Sequence, residues 1–199
     1  MKTAAIIPIA ERFAKKDFCG KQLYEWTEKA AKKSKLFDNI ILEDREGELN
    51  DLLVINAREH PEIELWCILP VTAPLRIAKD IQKAHKKAQA KKYDSVVSVC
   101  HNPIYGWVKD AVGMPHGKQA IALYHYQRAQ IKQSRDNWYL ENGAIYFMKL
   151  HIVNLFGSKI GGSVGLYEMP RERSFEATTP VDWKICEFLM KERINDKSK

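Results

Sequence analysis

Lys2-Thr3-Ala4-Ala5-Ile6-Ile7-Pro8-Ile9-Ala10 decides how the rest of the chain is read. The run is apolar and short, which predicts a buried strand. Directly downstream the period changes, and Leu23, Trp26, Ala30 and Phe37 fall at helical intervals between Gly20 and Phe37. The same exchange then repeats outward from this pair. Asn39 to Leu42 reads as a strand, Leu49, Leu52, Leu53 and Ala57 mark a helix, and Ile63 to Val71 is a long apolar strand. Ile77, Ile81, Ala84 and Ala88 give the next helix, and Asp94 to Cys100 returns to a Val-rich strand. Strands alternating with helices imply a mainly parallel sheet covered on both faces, with ligands at the carboxyl ends of its strands. The expected class is therefore α/β with three layers and a Rossmann-like sheet.

Beyond Cys100 the alternation becomes irregular. His101-Asn102-Pro103 and Gly113 to Gly117 read as loops, Ile121 to Tyr126 as a half-exposed strand, and Asn142 to Met148 as a buried strand. Thr179-Pro180-Val181-Asp182 opens a last helix with a hydroxyl cap, a proline at the first helical position and a carboxylate in the first turn. The 199 residues are expected to form one domain, with 45% hydrophobic residues to fill its core. Cys19, Cys67, Cys100 and Cys186 show no Cys-x-x-Cys pairing, so neither a disulfide framework nor a zinc site is expected. No apolar run is long enough to cross a bilayer and no cleavage signal follows Met1, so the reading is cytoplasmic with no membrane partner. The formal charge of +7 raises the question of nucleic acid. The lysines of Lys29 to Lys35 and Lys83 to Lys92 alternate with alanines at helical period, however, which favours a solvated helix face. No nucleic-acid partner is expected.

The carboxyl-terminal half carries the most specific pattern: Gln133, then Tyr139, then Asn142-Gly143-Ala144-Ile145-Tyr146, then Tyr167-Glu168-Met169-Pro170-Arg171-Glu172-Arg173-Ser174. Together with Ala4-Ala5-Ile6-Ile7-Pro8, Gly20-Lys21-Gln22-Leu23 and Leu69-Pro70-Val71-Thr72-Ala73-Pro74-Leu75-Arg76, it resembles the acylneuraminate cytidylyltransferases, the CMP-sialic acid synthetases and their relatives. The resemblance runs from about Ala4 to Glu187. It implies a nucleotidyltransferase fold, transfer of CMP from CTP to an acidic nine-carbon sugar with release of pyrophosphate, Mg²⁺ or Mn²⁺ as cofactor, and a homodimer formed through an insertion at about 101–141. A non-catalytic sugar-nucleotide binding or partner subunit derived from this family is the competing reading.

Site residues follow position by position. In the family a glycine-rich loop after the first strand cradles the triphosphate; here that stretch is Ile9-Ala10-Glu11-Arg12-Phe13-Ala14-Lys15-Lys16-Asp17, with no glycine. Arg12, Lys15 and Lys16 are the residues left to supply charge, Arg12 and Lys16 being the catalytic candidates. Thr72 and Arg76 match the nucleotide-side motif unchanged. Gln133, Tyr139 and Asn142 match the sugar-side motif, with Lys132 in place of an arginine and Arg135 near enough to compensate. The family's Ser-x-Asp-Ile-Asp-Thr metal motif has become Ser174-Phe175-Glu176-Ala177-Thr178-Thr179, leaving Glu176, with Asp182 beyond it, as metal ligands. A hard cation is held by anionic oxygens, so the exchange of an aspartate for Thr178 weakens that site.

Overall fold

The computed structural model describes residues 1–10, 12–102, 107–108, 121–122 and 138–196. Its centre is a six-stranded sheet. β1 (Thr3–Pro8) lies between β4 (Asn39–Glu43) and β5 (Leu65–Ile68), parallel to both. β9 (Tyr139–Lys149) runs antiparallel between β5 and β6 (Ser95–His101), and β10 (Val164–Glu168) pairs with β6 in parallel at the edge. The order across the sheet is β10-β6-β9-β5-β1-β4. One antiparallel strand in a parallel frame matches the mainly parallel sheet expected from the alternation.

Strand periodicity splits the core in two. Ala5, Ile7, Cys67 and Phe147 face one side, where they meet α1 (Leu23–Ser34), α3 (Ala78–Ala88) and α5 (Pro180–Asn195) through Leu23, Ile81, Ala84, Cys186 and Met190. Ala4, Ile6, Trp66, Ile68 and Met148 face the other, where α2 (Leu49–Glu59) and α4 (Leu150–Phe156) cover them with Leu53, Ala57, Ile152 and Val153. Successive side chains point to opposite faces of a strand, so both faces of β1 must be apolar, as the opening run is.

Helix ends follow the local chemistry. In α1 the Glu25 carboxylate accepts from the Gln22 amide at 2.6 Å, and the helix stops where Lys35 turns left-handed. Thr179 Oγ1 accepts from the Asp182 amide at 3.2 Å while Asp182 Oδ2 accepts from the Thr179 amide at 3.1 Å, with Pro180 at the first helical position. The expected strand Ile63 to Val71 is shorter, Leu65–Ile68. The Leu69 amide still reaches Ile6 O at 3.0 Å, but Pro70 has no amide with which to continue the ladder. No apolar alternation announces the short hairpin of β2 (Asp17–Phe18) and β3 (Lys21–Gln22), whose turn residues Cys19 and Gly20 both have positive φ. Two two-residue strands, Trp107–Val108 (β7) and Ile121–Ala122 (β8), pair antiparallel inside the expected 101–141 insertion, of which residues 103–106, 109–120 and 123–137 lie outside the described residues. Among the described residues no helix is long and apolar enough to cross a membrane, and all four cysteines are free.

Candidate functional site

Where β6 meets β9 the pairing slips. Val97 pairs with Tyr146 but Val99 pairs with Glu141, so Ser98 faces four residues, Asn142 to Ile145. Extra residues on one strand must arch away from the ladder. Gly143 takes φ +59° within the arch, a conformation that favours glycine. Side chains replace the lost ladder bonds. Ser98 Oγ donates to Asn142 Oδ1 at 2.6 Å and accepts from the Ile145 amide at 2.7 Å, and Asn142 Nδ2 donates to Ser174 Oγ at 2.9 Å.

Glu176 sits on this arch. A Cβ on Gly143 would lie 1.9 Å from Glu176 Oε1, so the carboxylate rests directly against the glycine backbone. The segment carrying it is stitched to the end of β5, since the Ala177 amide donates to Thr72 O at 2.6 Å and Thr72 Oγ1 donates to Glu176 Oε1 at 3.4 Å. Burial raises the Glu176 pKa, Thr72 opposes that shift by its hydrogen bond, and the nearby Glu141 charge adds to it. Glu141 in turn accepts from the Tyr146 hydroxyl. Glu141, Glu176 and Asp182 line one cleft of about 270 Å³ together with Asn102, Arg171 and Ser174.

The sequence-derived residues divide sharply against this geometry. Thr72 and Glu176 come together, and Asp182 lines the same cleft. Asp182 is also the capping carboxylate of α5, accepting from Thr178 Oγ1 at 3.1 Å and Thr179 Oγ1 at 2.7 Å, which lowers its pKa. Asn142, expected on the sugar side, is buried, and both ends of its amide are bound within the protein, so it clasps the arch. Arg76, expected on the nucleotide side, lies away from this cleft. It is 2% exposed, donates to Thr27 Oγ1 at 3.3 Å and to Pro70 O, and does not line the cleft. Tyr139 is exposed and packs edge-on to His101, with ring centroids 5.6 Å apart. Lys132, Gln133 and Arg135 lie outside the described residues.

Arg12, Lys15 and Lys16 are exposed on the loop after β1, and none is in an ion pair with a described residue. That loop is tied to α1 rather than opened as a cradle. Lys16 O accepts from the Leu23 amide at 3.0 Å, Ala14 O accepts from the Tyr24 amide at 3.1 Å, and the Ala14 methyl is fully buried. No residue from 12 to 18 has positive φ, so the alternation of right- and left-handed backbone that aims successive amides at one anion is missing there. Among the described residues no group of three His, Cys, Asp or Glu is placed to hold a metal ion. Glu176 and Asp182 are two carboxylates of one cleft, so by themselves they could supply only part of the oxygen set that a hard cation such as Mg²⁺ or Mn²⁺ takes.

Residues that sequence reasoning passed over are Ser98, Glu141, Arg171 and Ser174. Arg171 and Ser174 stood inside the quoted motif, and their neighbour Arg173 holds that motif in place. Its guanidinium binds the buried Asp80 carboxylate through Nε and a terminal nitrogen, each at 2.9 Å, while Tyr167 donates to Asp80 at 3.1 Å.

The fold is shared with cytidylyltransferases of known structure. The chain superposes on 4-diphosphocytidyl-2C-methyl-D-erythritol synthase from Anaerococcus prevotii with a TM-score of 0.66 at 12% identity, covering 96% of this chain and 98% of that one. It superposes on CMP:2-keto-3-deoxy-manno-octonic acid synthetase, solved with CTP, with a TM-score of 0.63 at 12% identity, covering 97% and 100%. At such identity the likeness defines the fold. No family model matches the chain. Curated proteins refine the class: N-acylneuraminate cytidylyltransferase A of Danio rerio is 27% identical over 134 residues, 66% of this chain and 30% of that protein. Post-translational flagellin modification protein B of Campylobacter coli is 27% identical over 128 residues, 63% of this chain and 52% of that protein. The chain is similar to N-acylneuraminate cytidylyltransferases at about a quarter identity, and its match spans about a third to a half of these relatives' length.

Proposed function

We propose that the protein is a cytidylyltransferase, transferring CMP from CTP to a sialic acid-like nonulosonic acid and releasing pyrophosphate. The observation that carries this reading is the half-buried Glu176 carboxylate, seated on Gly143 and bonded to Thr72 at the carboxyl end of β5. In the reaction the anomeric hydroxyl oxygen of the sugar bonds to the α phosphorus, the bond from that phosphorus to the bridging oxygen breaks, and pyrophosphate leaves. The hydroxyl proton passes to water at the open mouth of the cleft. Such a step depends on alignment and on neutralising phosphate charge.

In this reading Arg12, Lys15 and Lys16 bring positive charge to the phosphates from the exposed loop. Arg171, at the cleft wall, pairs with the sugar carboxylate, joined by Lys132, Gln133, Arg135 and Tyr139 from the sugar side. Glu176 and Asp182 would hold Mg²⁺ or Mn²⁺ with the phosphates, and the ion would supply charge neutralisation. A homodimer through residues 101–141 and a cytoplasmic location belong to the same proposal.

The experiment is pyrophosphate release from CTP with a panel of nonulosonic acids and Mg²⁺ or Mn²⁺. Turnover that is lost in Glu176→Ala supports the proposal, and Thr178→Asp is expected to tighten metal dependence by adding a carboxylate beside Asp182. The glycine-free loop without left-handed backbone favours a second reading, a sugar-nucleotide binding subunit without turnover. No CMP-sugar under any condition, together with retained cytidine nucleotide or sugar binding, would select it.

A further inference from the structure

A larger concavity lies away from the cleft, on the outer side of α1 and α3. It holds about 670 Å³ and is walled by Lys21 from β3, Lys29 and Lys33 from α1, Lys79 from α3, and Arg193 from α5. Buried Arg76 completes the lining, and among the described residues that line it there is no carboxylate. A solvated basic face normally intersperses acids, because like charges one helical turn apart repel by about 0.2–0.5 kcal/mol. Lys29 and Lys33 stand one turn apart, and none of Lys21, Lys29, Lys33 and Lys79 is in an ion pair with a described residue.

Arg76 is the second, independent sign. It is 2% exposed, and its Nε has no hydrogen-bond partner although its terminal nitrogens reach Thr27 and Pro70. A buried cation without an ionic partner is costly unless something supplies the opposite charge. Asp80 and Glu176 act on it only at a distance: Asp80 is committed to Arg173 and Tyr167, and Glu176 faces the other cleft. Arg76 also precedes the start of α3, whose first amides, Ala78 and Lys79, have no carbonyl one turn back within the helix. Both residues line the same concavity.

We propose that this groove is a second ligand site, for a compact small molecule carrying two or more phosphate groups. A helix start, a buried guanidinium and a ring of lysines are the elements that bind phosphate. The volume suits a small ligand rather than an extended strand. The site is distinct from the Glu176 cleft and does not depend on the proposed transfer reaction.

The test is titration of the full chain with inorganic tripolyphosphate, followed by calorimetry and by the fluorescence of Trp26, which lines the groove. Saturable one-to-one binding is expected, weakened about tenfold or more by Lys29→Glu with Lys79→Glu, as expected for losing charge-assisted contacts. Lys91→Glu, an exposed change beyond the end of α3 and off the groove, is expected to leave binding unchanged. Because those lysines are exposed, the charge reversals do not threaten the core. Equal weakening by Lys91→Glu, tighter binding of heparin than of tripolyphosphate, or no saturable binding at low salt would each overturn the proposal. Pyrophosphate release from CTP, if present, should persist in the double charge reversal, so failure of one site is distinguishable from failure of the other.

Discussion

The two sides of the candidate site are built to opposite rules. On the side of β9, the central polar groups of the motif are locked: Asn142 between Ser98 and Ser174, Glu176 on Gly143 and Thr72, Arg173 on Asp80. On the side of β1, Arg12, Lys15 and Lys16 stand in solvent on a loop fastened through its backbone and the Ala14 methyl. Residues that share a motif are therefore not equivalent. Some shape the platform and others are free to meet a ligand, and only free groups lose affinity without losing stability.

Gly143→Ala should separate the two rules most strongly. The added methyl meets the Glu176 carboxylate at 1.9 Å in a backbone conformation with φ +59°. Left-handed backbone and overpacking each cost on the order of 1–3 kcal/mol, so a loss of about 3 kcal/mol is expected in chemical denaturation. Combining it with Glu176→Ala should recover part of that loss, because the steric partner is gone while the backbone term remains. Strict additivity of the two changes would contradict the close packing.

Asn142→Ala comes next. It leaves Ser98 and the Ala144 amide without their acceptor inside a buried arch. Loss of such partners costs about 1–3 kcal/mol, so destabilisation near 2 kcal/mol is expected. A variant as stable as the wild type but weaker in sugar binding would return Asn142 to the ligand set.

The exposed side should behave in reverse. Arg12→Ala with Lys16→Ala is expected to change stability by less than about 0.5 kcal/mol, as surface substitutions generally do. If the loop meets phosphate, CTP affinity should fall about tenfold, near 1.4 kcal/mol, with a shallower salt dependence. Unchanged CTP affinity would leave the loop as a basic surface turn.

How far the sequence could anticipate this depends on what each residue's neighbours are. β1, β4, β5 and β6 were legible because strands packed on both faces read as apolar runs. β10 was not: Val164 and Leu166 are exposed at the sheet edge, and Gly165 is small because the Tyr93 ring lies 2.9 Å from where its Cβ would be. α4 escaped notice because it has seven residues and no side-chain cap. Within the site, Glu176 and Thr72 were found by motif, whereas the clasp made by Asn142 depends on a slip in pairing with Ser98, forty-four positions earlier in sequence. No local pattern encodes that slip. Arg76 matched a nucleotide motif, yet burial decides its surroundings and pushes its pKa down to about 10.

The smallest effect should come from Glu176→Gln, read as a pH profile. Burial raises the pKa of this carboxylate, so the folded protein holds the proton more tightly than the unfolded chain. The sign follows from linkage: this contribution to stability is present at low pH and declines as pH rises from the ordinary carboxylate range through the raised folded value. Removing the titration should therefore leave the variant about as stable as wild type in acid and slightly more stable above that window, by less than about 1 kcal/mol. Denaturation midpoints across mildly acidic to neutral pH measure the difference directly. A variant less stable than wild type at neutral pH would mean that Thr72 and the Gly143 backbone stabilise the charge more than burial disfavours it. The carboxylate would then belong to the locked platform, and its availability to a cation would have to be argued from metal binding alone.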